Sequence, residues 1–436
     1  MRFQRLSEWL SWQEQLHPRT IDLGLDRVRR TLERLGWRRP ACPIVIVGGT
    51  NGKGSAVALL ARIWSEAGYR CGTFTSPHLR RYNERIVLAG QEVADATLLN
   101  AFQRIDAARG SDTLTFFEFS TLAALLAFED AALDAIVLEV GMGGRLDAVN
   151  IVDADAALIT SVALDHCEWL GTDVAAIGRE KAGVFRPGRG AIVAGRDMPS
   201  SVAQYAREIG SDLRRLGVEF DYQPGHRHTP GGPVSWSWRG RERTWPDLPP
   251  PALAGAVQFD NAAGVLAVVE YLHERLPVER QAIERGLAGV RVTGRFQVET
   301  IDGVEWILDV AHNPAAARTL AAQLAERPCA GRTLAVCGIL GDKDVAGILA
   351  EVHTRFDLWV IAGLEGPRAL DPATLAERIR GAGGEVAGTY ADVATACAAA
   401  AQLARAGDRI VVFGSFLTIA AALEAFDDGR APGSVR

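Results

Sequence analysis

Residues 43–64 constrain the fold of this chain more than any other stretch. Pro43-Ile-Val-Ile-Val47 is an apolar, β-branched run, Gly48-Gly-Thr-Asn-Gly-Lys-Gly-Ser55 is a glycine cluster around one lysine, and Ala56 to Trp64 is apolar at helical spacing. That order predicts strand, loop and helix. The loop then aims backbone N–H groups and a helix N-terminus at one point, which suits a phosphate chain, with Lys53 on the phosphates. The usual phosphate loop has a glycine where Val47 stands and a hydroxyl where Gly54 stands. A tight strand-to-helix connection would carry similar glycines.

The lysine count bears on that choice. Of 47 basic residues only Lys53, Lys181 and Lys343 are lysine, and the rest are arginine. Arginine is planar, forked and always charged, whereas lysine is a compact amine whose pKa can be moved. A chain so biased keeps lysine mainly where a guanidinium cannot substitute, which makes all three candidate site residues; chance survival on the surface is the bland alternative. A net charge of −6 gives no basic excess for nucleic acid, so small-molecule partners are expected instead. The 6 cysteines show no metal-type spacing, the N-terminus lacks an apolar signal core, and no apolar run approaches the roughly 18 residues of a membrane span. A reduced, cytoplasmic protein without membrane contact is expected.

At 436 residues the chain is too long for one core. Helical spacing covers 4–16 and 21–36, with Thr20 and Asp22 as possible caps of the second helix. A strand beginning at Tyr69 ends at Ser76 and is expected beside the 43–47 strand, opening onto the same crevice. Ser76 then reaches a nucleotide-bound metal or serves as a turn serine. Residues 83–88 read as a short strand, and 95–109 as a helix. Thr115-Phe-Phe-Glu118 lies where a long helix through 130 begins; its aromatics and carboxylate suit a flat heterocycle, or the phenylalanines belong to the core. The next strand ends in Glu139, and a buried strand-end carboxylate needs a partner, either a divalent cation or an ion pair. A further strand from Ala156 delivers His166, a ligand or a satisfied polar residue, and Lys181 lies on a short helix. After strand, helix and strand over 190–222, the Pro- and Gly-rich stretch 224–251 predicts a β-hairpin excursion, followed by helices 258–275 and 278–288.

Beyond Gly294-Arg295-Phe-Gln, strands at 304–310, 333–339, 357–362, 385–390 and 408–413 alternate with helices at 314–327, 344–353, 371–382, 391–406 and 416–427. The polar loops after 309, 338 and 414 all follow strands, so one rim carries the polar groups and is expected to close on the bound phosphate chain. The fold class expected is α/β: a phosphate-loop-type, mainly parallel sheet domain over 1–294, then a smaller Rossmann-like, doubly wound α/β domain over 295–436, with the Gly294 junction as a hinge.

The loop Gly49-Thr-Asn-Gly-Lys-Gly-Ser55 and Arg179-Glu-Lys-Ala-Gly183 resemble the Mur ligase family, which joins an amino acid to a carboxylate at the expense of ATP. A wider set resembles its folylpolyglutamate synthase branch: Thr20-Ile-Asp-Leu-Gly-Leu-Asp26, Ser76-Pro-His-Leu79, Asn83-Glu-Arg-Ile86, Glu139-Val-Gly-Met-Gly-Gly-Arg-Leu-Asp147, Leu164-Asp-His166, Gly294-Arg-Phe-Gln297, Asp309-Val-Ala-His-Asn-Pro314 and Gly414-Ser-Phe416. The resemblance implies a ligase adding L-glutamate to dihydropteroate and to folates through an acyl phosphate. It implies ATP contacts at Thr50, Asn51, Gly52, Lys53, Asn261, Arg295, Asp309, Val310, Ala311 and His312, with Lys53, Lys181, Arg295 and His312 catalytic. Two Mg2+ ions would be held by Ser76, Glu139, His166 and a carbamylated Lys181. Pterin or folate contacts would fall at Gln15, Leu16, His17, Pro18, Thr115, Phe116, Phe117, Glu118, Leu146, Asp147 and Ala148. A monomer is expected. This chain departs from the family strings at Val149, Cys167, Thr293 and Leu417. The rival readings are a Mur-type ligase for another carboxylate and a non-catalytic nucleotide-binding regulator; the second lysine and the metal-type ligands argue against the regulator.

Overall fold

The computed structural model describes residues 2–227 and 234–429. The chain separates into two compact units, the first running to Ala252 and including Val257–Val290, the second made of Leu253–Ala256 and the chain from Arg291. The first unit is built on eight strands: β1 (Ile44–Gly48), β2 (Cys71–Phe74), β3 (Ile86–Leu88), β4 (Gln91–Glu92), β5 (Ala135–Glu139), β6 (Ala156–Ile159), β7 (Gly190–Val193) and β8 (Asp212–Arg215), in the order β4-β3-β2-β5-β1-β6-β7-β8. The strands from β2 to β8 in that order pair parallel, and β3 and β4 add an antiparallel edge. Every residue of β1, β5, β6 and β7 is buried. A parallel sheet covered on both faces demands such unbroken apolar runs.

The structure corrects one neighbour. The strand beside β1 is β5, with Val47 opposite Glu139, and β2 lies one place further out, with Phe74 opposite Leu138. The apolar run Ala135–Leu138 takes the central position, while β2 serves as the junction to the antiparallel edge. Glu139 therefore ends the strand between β1 and β2, closer to the glycine loop than sequence order suggests.

The helices Leu6–Leu16 and Asp26–Leu35 fall within their expected spans, but Leu25, not Thr20 or Asp22, occupies the cap of the second. Asp22 instead accepts from Arg27 and Arg19. Asn83 and Arg85 belong to a 3-10 turn, Tyr82–Arg85, that precedes β3. The excursion is a three-stranded antiparallel sheet, β9 (Asp221–Arg227), β10 (Val234–Arg239) and β11 (Thr244–Leu248), where a hairpin was expected; 228–233, part of that expectation, lie outside the described residues. Alternation along Val234-Ser-Trp-Ser-Trp238 buries both tryptophans, and Trp238 stacks on Trp245 with ring centroids 4.7 Å apart.

Glu270, on the helix Val257–Tyr271, ties this sheet down. Its carboxylate accepts from Arg241 N, Glu242 N and Arg243 N in the β10–β11 turn and from Arg214 Nη1 at 2.9 Å. Both partners of the pair are buried, so Glu270→Ala leaves Arg214 with Asp212 at 3.3 Å as its carboxylate partner and takes the acceptor from three amides. We expect it to destabilise the first unit by ~3–5 kcal/mol, read as a lower urea midpoint of tryptophan fluorescence. A midpoint equal to the parent's would mean that the turn rearranges freely.

The second unit carries β12 (Gln297–Ile301), β13 (Val304–Asp309), β14 (Thr333–Cys337), β15 (Leu358–Ala362), β16 (Val386–Tyr390) and β17 (Arg409–Phe413), ordered β12-β13-β17-β14-β15-β16. The five strands from β13 on are parallel and match expectation within about two residues. The antiparallel β12 was not anticipated, because Gln-Val-Glu-Thr-Ile alternates polar and apolar at a sheet edge and lacks a continuous apolar run. The helices Pro314–Glu326, Val345–Val352, Pro372–Gly381, Val393–Leu403 and Phe416–Asp427 begin at side-chain caps on Asn313, Asp344, Asp371, Asp392 and Ser415. Ile307, Val411, Phe413 and Trp359 anchor the core of this unit.

Candidate active site

The loop after β1 is fixed by the end of β6. Thr50 N donates to Ser161 O, Asn51 N to Ser161 Oγ at 2.9 Å, and Thr160 Oγ1 to Asn51 O at 2.7 Å. Two glycines are required by this closeness. Gly49 has φ 142° and a Cβ there would lie 2.0 Å from Thr160 Oγ1; Gly52 has φ 87° and a Cβ would lie 2.7 Å from Asn261 Oδ1. Asn261, buried on the helix Val257–Tyr271, thereby abuts the glycine loop. Lys53 opens the helix Lys53–Glu66, and its Nζ donates to Gly49 O at 3.1 Å and Thr50 O at 3.0 Å, which ties the ammonium to the loop.

Glu139 is 4% exposed, and its Oε2 accepts from Ser76 N at 3.1 Å. A Cβ on Gly54 would sit 3.8 and 3.9 Å from the two Glu139 oxygens. The position where an ordinary phosphate loop carries a hydroxyl thus faces a carboxylate on the neighbouring strand. Oxygen donors at Glu139 and Ser76 suit a hard divalent cation, and an imidazole at His166 is compatible with one. Among the described residues no three His, Cys, Asp or Glu side chains cluster as a metal site; Ser76 and Lys181 complete the candidate set from outside those residue types.

The two lysines sense each other. Lys181 is 4% exposed on the helix Val174–Ala182, and burial, then the like charge of Lys53, pushes its amine down to about 7, against pulls from Asp165 and Asp147. Asp147 accepts from Met142 N and Val149 N, and burial raises its carboxyl to about 7, opposed by those amides and by Lys53. The sequence Gly141–Asn150 packs against the Lys181 helix: Arg145 N donates to Glu180 O, and Gly144 leaves no space for a Cβ beside Lys181 O. Asp165 caps this group by accepting from His166 N, and His166 adopts φ 53°. Asp165 was not singled out in sequence, although it stands inside Leu164-Asp-His166.

The proposed pterin residues fall into connected segments. His17 Nε2 lies 3.5 Å from Asp22, Asp22 pairs with Arg27, and Arg27 Nη2 donates to Glu118 at 2.9 Å. Arg27 is the link that sequence reading missed, and nothing marks it among so many arginines. Glu118 also accepts from Thr115 N at 2.7 Å in a capping box. Both rings are half-buried: Phe117 packs on Phe74 and fills the space beside Gly141, and Phe116 packs against Tyr82. Gln15 and Pro18 are exposed, Leu16 and Leu146 half-buried, and Ala148 buried.

In the second unit the ends of β13 and β17, which are neighbours, bring their residues together. Asp309 is half-buried and accepts from Phe296 N and Ala311 N, and desolvation raises its carboxyl, opposed by Arg295. The Arg295 guanidinium lies 5.4 Å from the Phe416 ring centroid, and His312, whose Nδ1 is 2.8 Å from Val310 O, lies 5.9 Å from the same ring. Val310 and Ala311 are buried, and Lys343 sits just before the Asp344 cap.

Comparison with known proteins gives the family. Residues 47–223 match the Mur ligase middle domain, and residues 294–416 match the Mur ligase, glutamate ligase domain. The dihydrofolate synthase/folylpolyglutamate synthase of Escherichia coli K12 is 44% identical over 428 residues, 98% of this chain and 97% of that protein. The structure of E. coli FolC in complex with DHPP and ADP superposes with a TM-score of 0.91 at 43% identity, covering 98% of this chain and 99% of that one. A bifunctional folylpolyglutamate synthase/dihydrofolate synthase with Mn, AMPPNP and L-glutamate bound gives a TM-score of 0.88 at 44% identity, covering 97% and 98%. No helix among the described residues is long and apolar enough to cross a membrane.

Proposed function

This chain belongs to the Mur ligase family, in its dihydrofolate synthase/folylpolyglutamate synthase branch, and from that premise we propose how its own residues carry out the ligation. The reaction is ATP-dependent addition of L-glutamate to dihydropteroate and to folates. An acid and an amine at neutral pH form a carboxylate and an ammonium, so amide formation requires an activated carboxyl, which ATP supplies as an acyl phosphate. The observation that carries our assignment of residues is the burial of Lys181 on a helix packed against Gly141–Asn150, with the charge of Lys53 acting on it.

Thr50, Asn51, Gly52 and Lys53 bind the phosphates through the loop amides and the ammonium, and Asn261 takes the adenine. Lys53 and Arg295 neutralise charge on the transferring γ-phosphoryl. Two Mg2+ ions are assigned to Ser76, Glu139, His166 and Lys181 as its carbamate; when bound they supply charge neutralisation at the phosphates. Asp309 to His312 are assigned to the nucleotide, and Gln15–Pro18, Thr115–Glu118 and Leu146–Ala148 to the pterin or folate, with Phe116 as the ring contact and Glu118 as the support that orients its helix start. Functional domains of 1–294 and 295–436, a monomer, and action in the cytoplasm without nucleic acid complete the reading.

Phosphate release tests it directly. With ATP and Mg2+, release should require both L-glutamate and dihydropteroate or a tetrahydrofolate, and light scattering should give a 46.8 kDa particle. Release with a muramyl acceptor in place of the folates would overturn the substrate assignment.

A further inference from the structure

The first unit holds a buried cation whose hydrogen-bonding partner is a neutral ring. Arg85 is 8% exposed. Its Nε donates to His78 Nδ1 at 2.8 Å, and its guanidinium carbon lies 5.5 Å from the Tyr82 ring centroid and 5.2 Å from that of Phe116. The other buried arginines face carboxylates: Arg214 pairs with Glu270, and Arg409 with Glu305. Arg85 makes no ion pair among the described residues. Neighbouring Glu84 is turned away, its oxygens accepting from Leu79 N, Arg80 N and Arg81 N, and Glu139 acts on Arg85 only through space. A buried charge is retained where something compensates it.

The surroundings say what that is. His78 follows Ser76 by two residues, in the loop whose Ser76 N reaches Glu139. Phe116 begins the helix Phe116–Asp130. Arg85 thus stands between the residues assigned to the cation and the ring assigned to the pterin, where the carboxyl to be activated has to be delivered. We propose that Arg85 is the receptor for that carboxylate, the aryl carboxylate of dihydropteroate or the glutamyl carboxylate of a folate. The planar, forked guanidinium matches a carboxylate in two parallel N–H···O bonds, and the aromatic rings of Tyr82 and Phe116 hold it in place. A ligand without the carboxylate leaves the buried cation uncompensated, so the site discriminates by charge.

The proposal rests on the folate-ligase reading, and calorimetric binding separates the two. Wild type, Arg85→Gln and Arg85→Lys are titrated with dihydropteroate, with its analogue bearing hydrogen in place of the carboxylate, with tetrahydrofolate and its γ-amide, and with ADP as a control. Wild type should prefer dihydropteroate over the carboxylate-free analogue by about tenfold or more. Arg85→Gln should lose that preference while binding the analogue and ADP as wild type does; Arg85→Lys should keep part of it. A parallel loss with tetrahydrofolate against its γ-amide extends the role to both carboxylates, and a loss with dihydropteroate alone assigns Arg85 to the aryl carboxylate. An Arg85→Gln protein that keeps the wild-type preference overturns the proposal. Should that variant fail to fold, shown by lost ADP binding, wild type still decides, since equal affinity for acid and analogue refutes a carboxylate receptor. A wild type that binds ADP but neither pteroate nor folate sinks the folate reading itself.

Discussion

Lys53→Ala is expected to lower kcat by at least about a thousandfold, ~4 kcal/mol of transition-state stabilisation, with the fold unchanged. The ammonium meets phosphoryl charge as it builds, and neither Thr50 nor Asn51 offers a replacement cation. Folding should tolerate the change, because Lys53 opens its helix and its side chain donates to two carbonyls of its own loop, Gly49 and Thr50. Single-turnover phosphate release would measure the loss, and urea unfolding the fold. Lys53→Arg should be nearly as poor, since Gly49 and Gly52 already abut Thr160 and Asn261 and leave little room for a planar fork. Turnover within about tenfold of wild type in Lys53→Ala would remove Lys53 from the phosphates.

The phosphate loop, the strand ends and the second unit were legible in sequence for different physical reasons. Gly49 and Gly52 announce a backbone that side chains forbid, and the structure fills their Cβ positions with Thr160 and Asn261. The second unit reads almost residue by residue because five helices start at Asn, Asp or Ser caps that hydrogen-bond their own first turn. Strand order was not legible. Nothing local says that β5 inserts between β1 and β2, since that choice is settled by which apolar run can be buried on both faces. Long-range ion pairs were hidden too. Arg27 to Glu118 spans 91 residues, and one arginine among 44 carries no mark of its partner. Glu118 shows how one motif carries two readings: Thr-Phe-Phe-Glu suits a ring-binding site and is also a capping box, and the capping box forms, with the Glu118 carboxylate accepting from Thr115 N.

Lys181 supplies the second large effect, and the chemistry turns on a change of sign. As an amine it is buried next to Lys53, and both burial and that like charge favour its neutral form, with a pKa of about 7. Only a neutral primary amine adds carbon dioxide, so the environment that disfavours the ammonium promotes the carbamate. Once formed, the carbamate is an anion. Lys53 then becomes an opposite charge, and the new oxygens suit a divalent cation. Lys181→Arg should therefore be as inactive as Lys181→Ala, with turnover down by at least about a hundredfold in each, because a guanidinium keeps the positive charge and cannot carry the carboxylate. Acetate or propionate should restore part of the alanine variant's activity and none of the arginine variant's, whose side chain still fills the space. The sign of the pH response follows: at pH 6 roughly a tenth of the amine is neutral and at pH 8 most of it is, so carbamylation should rise across that interval. Labelled bicarbonate would give a carbamate carbon signal that grows from pH 6 to 8 in wild type and is missing in both variants. An active Lys181→Arg protein, or wild-type activity unaltered in carbon dioxide-free buffer after acid treatment, would leave Lys181 as a buried structural amine.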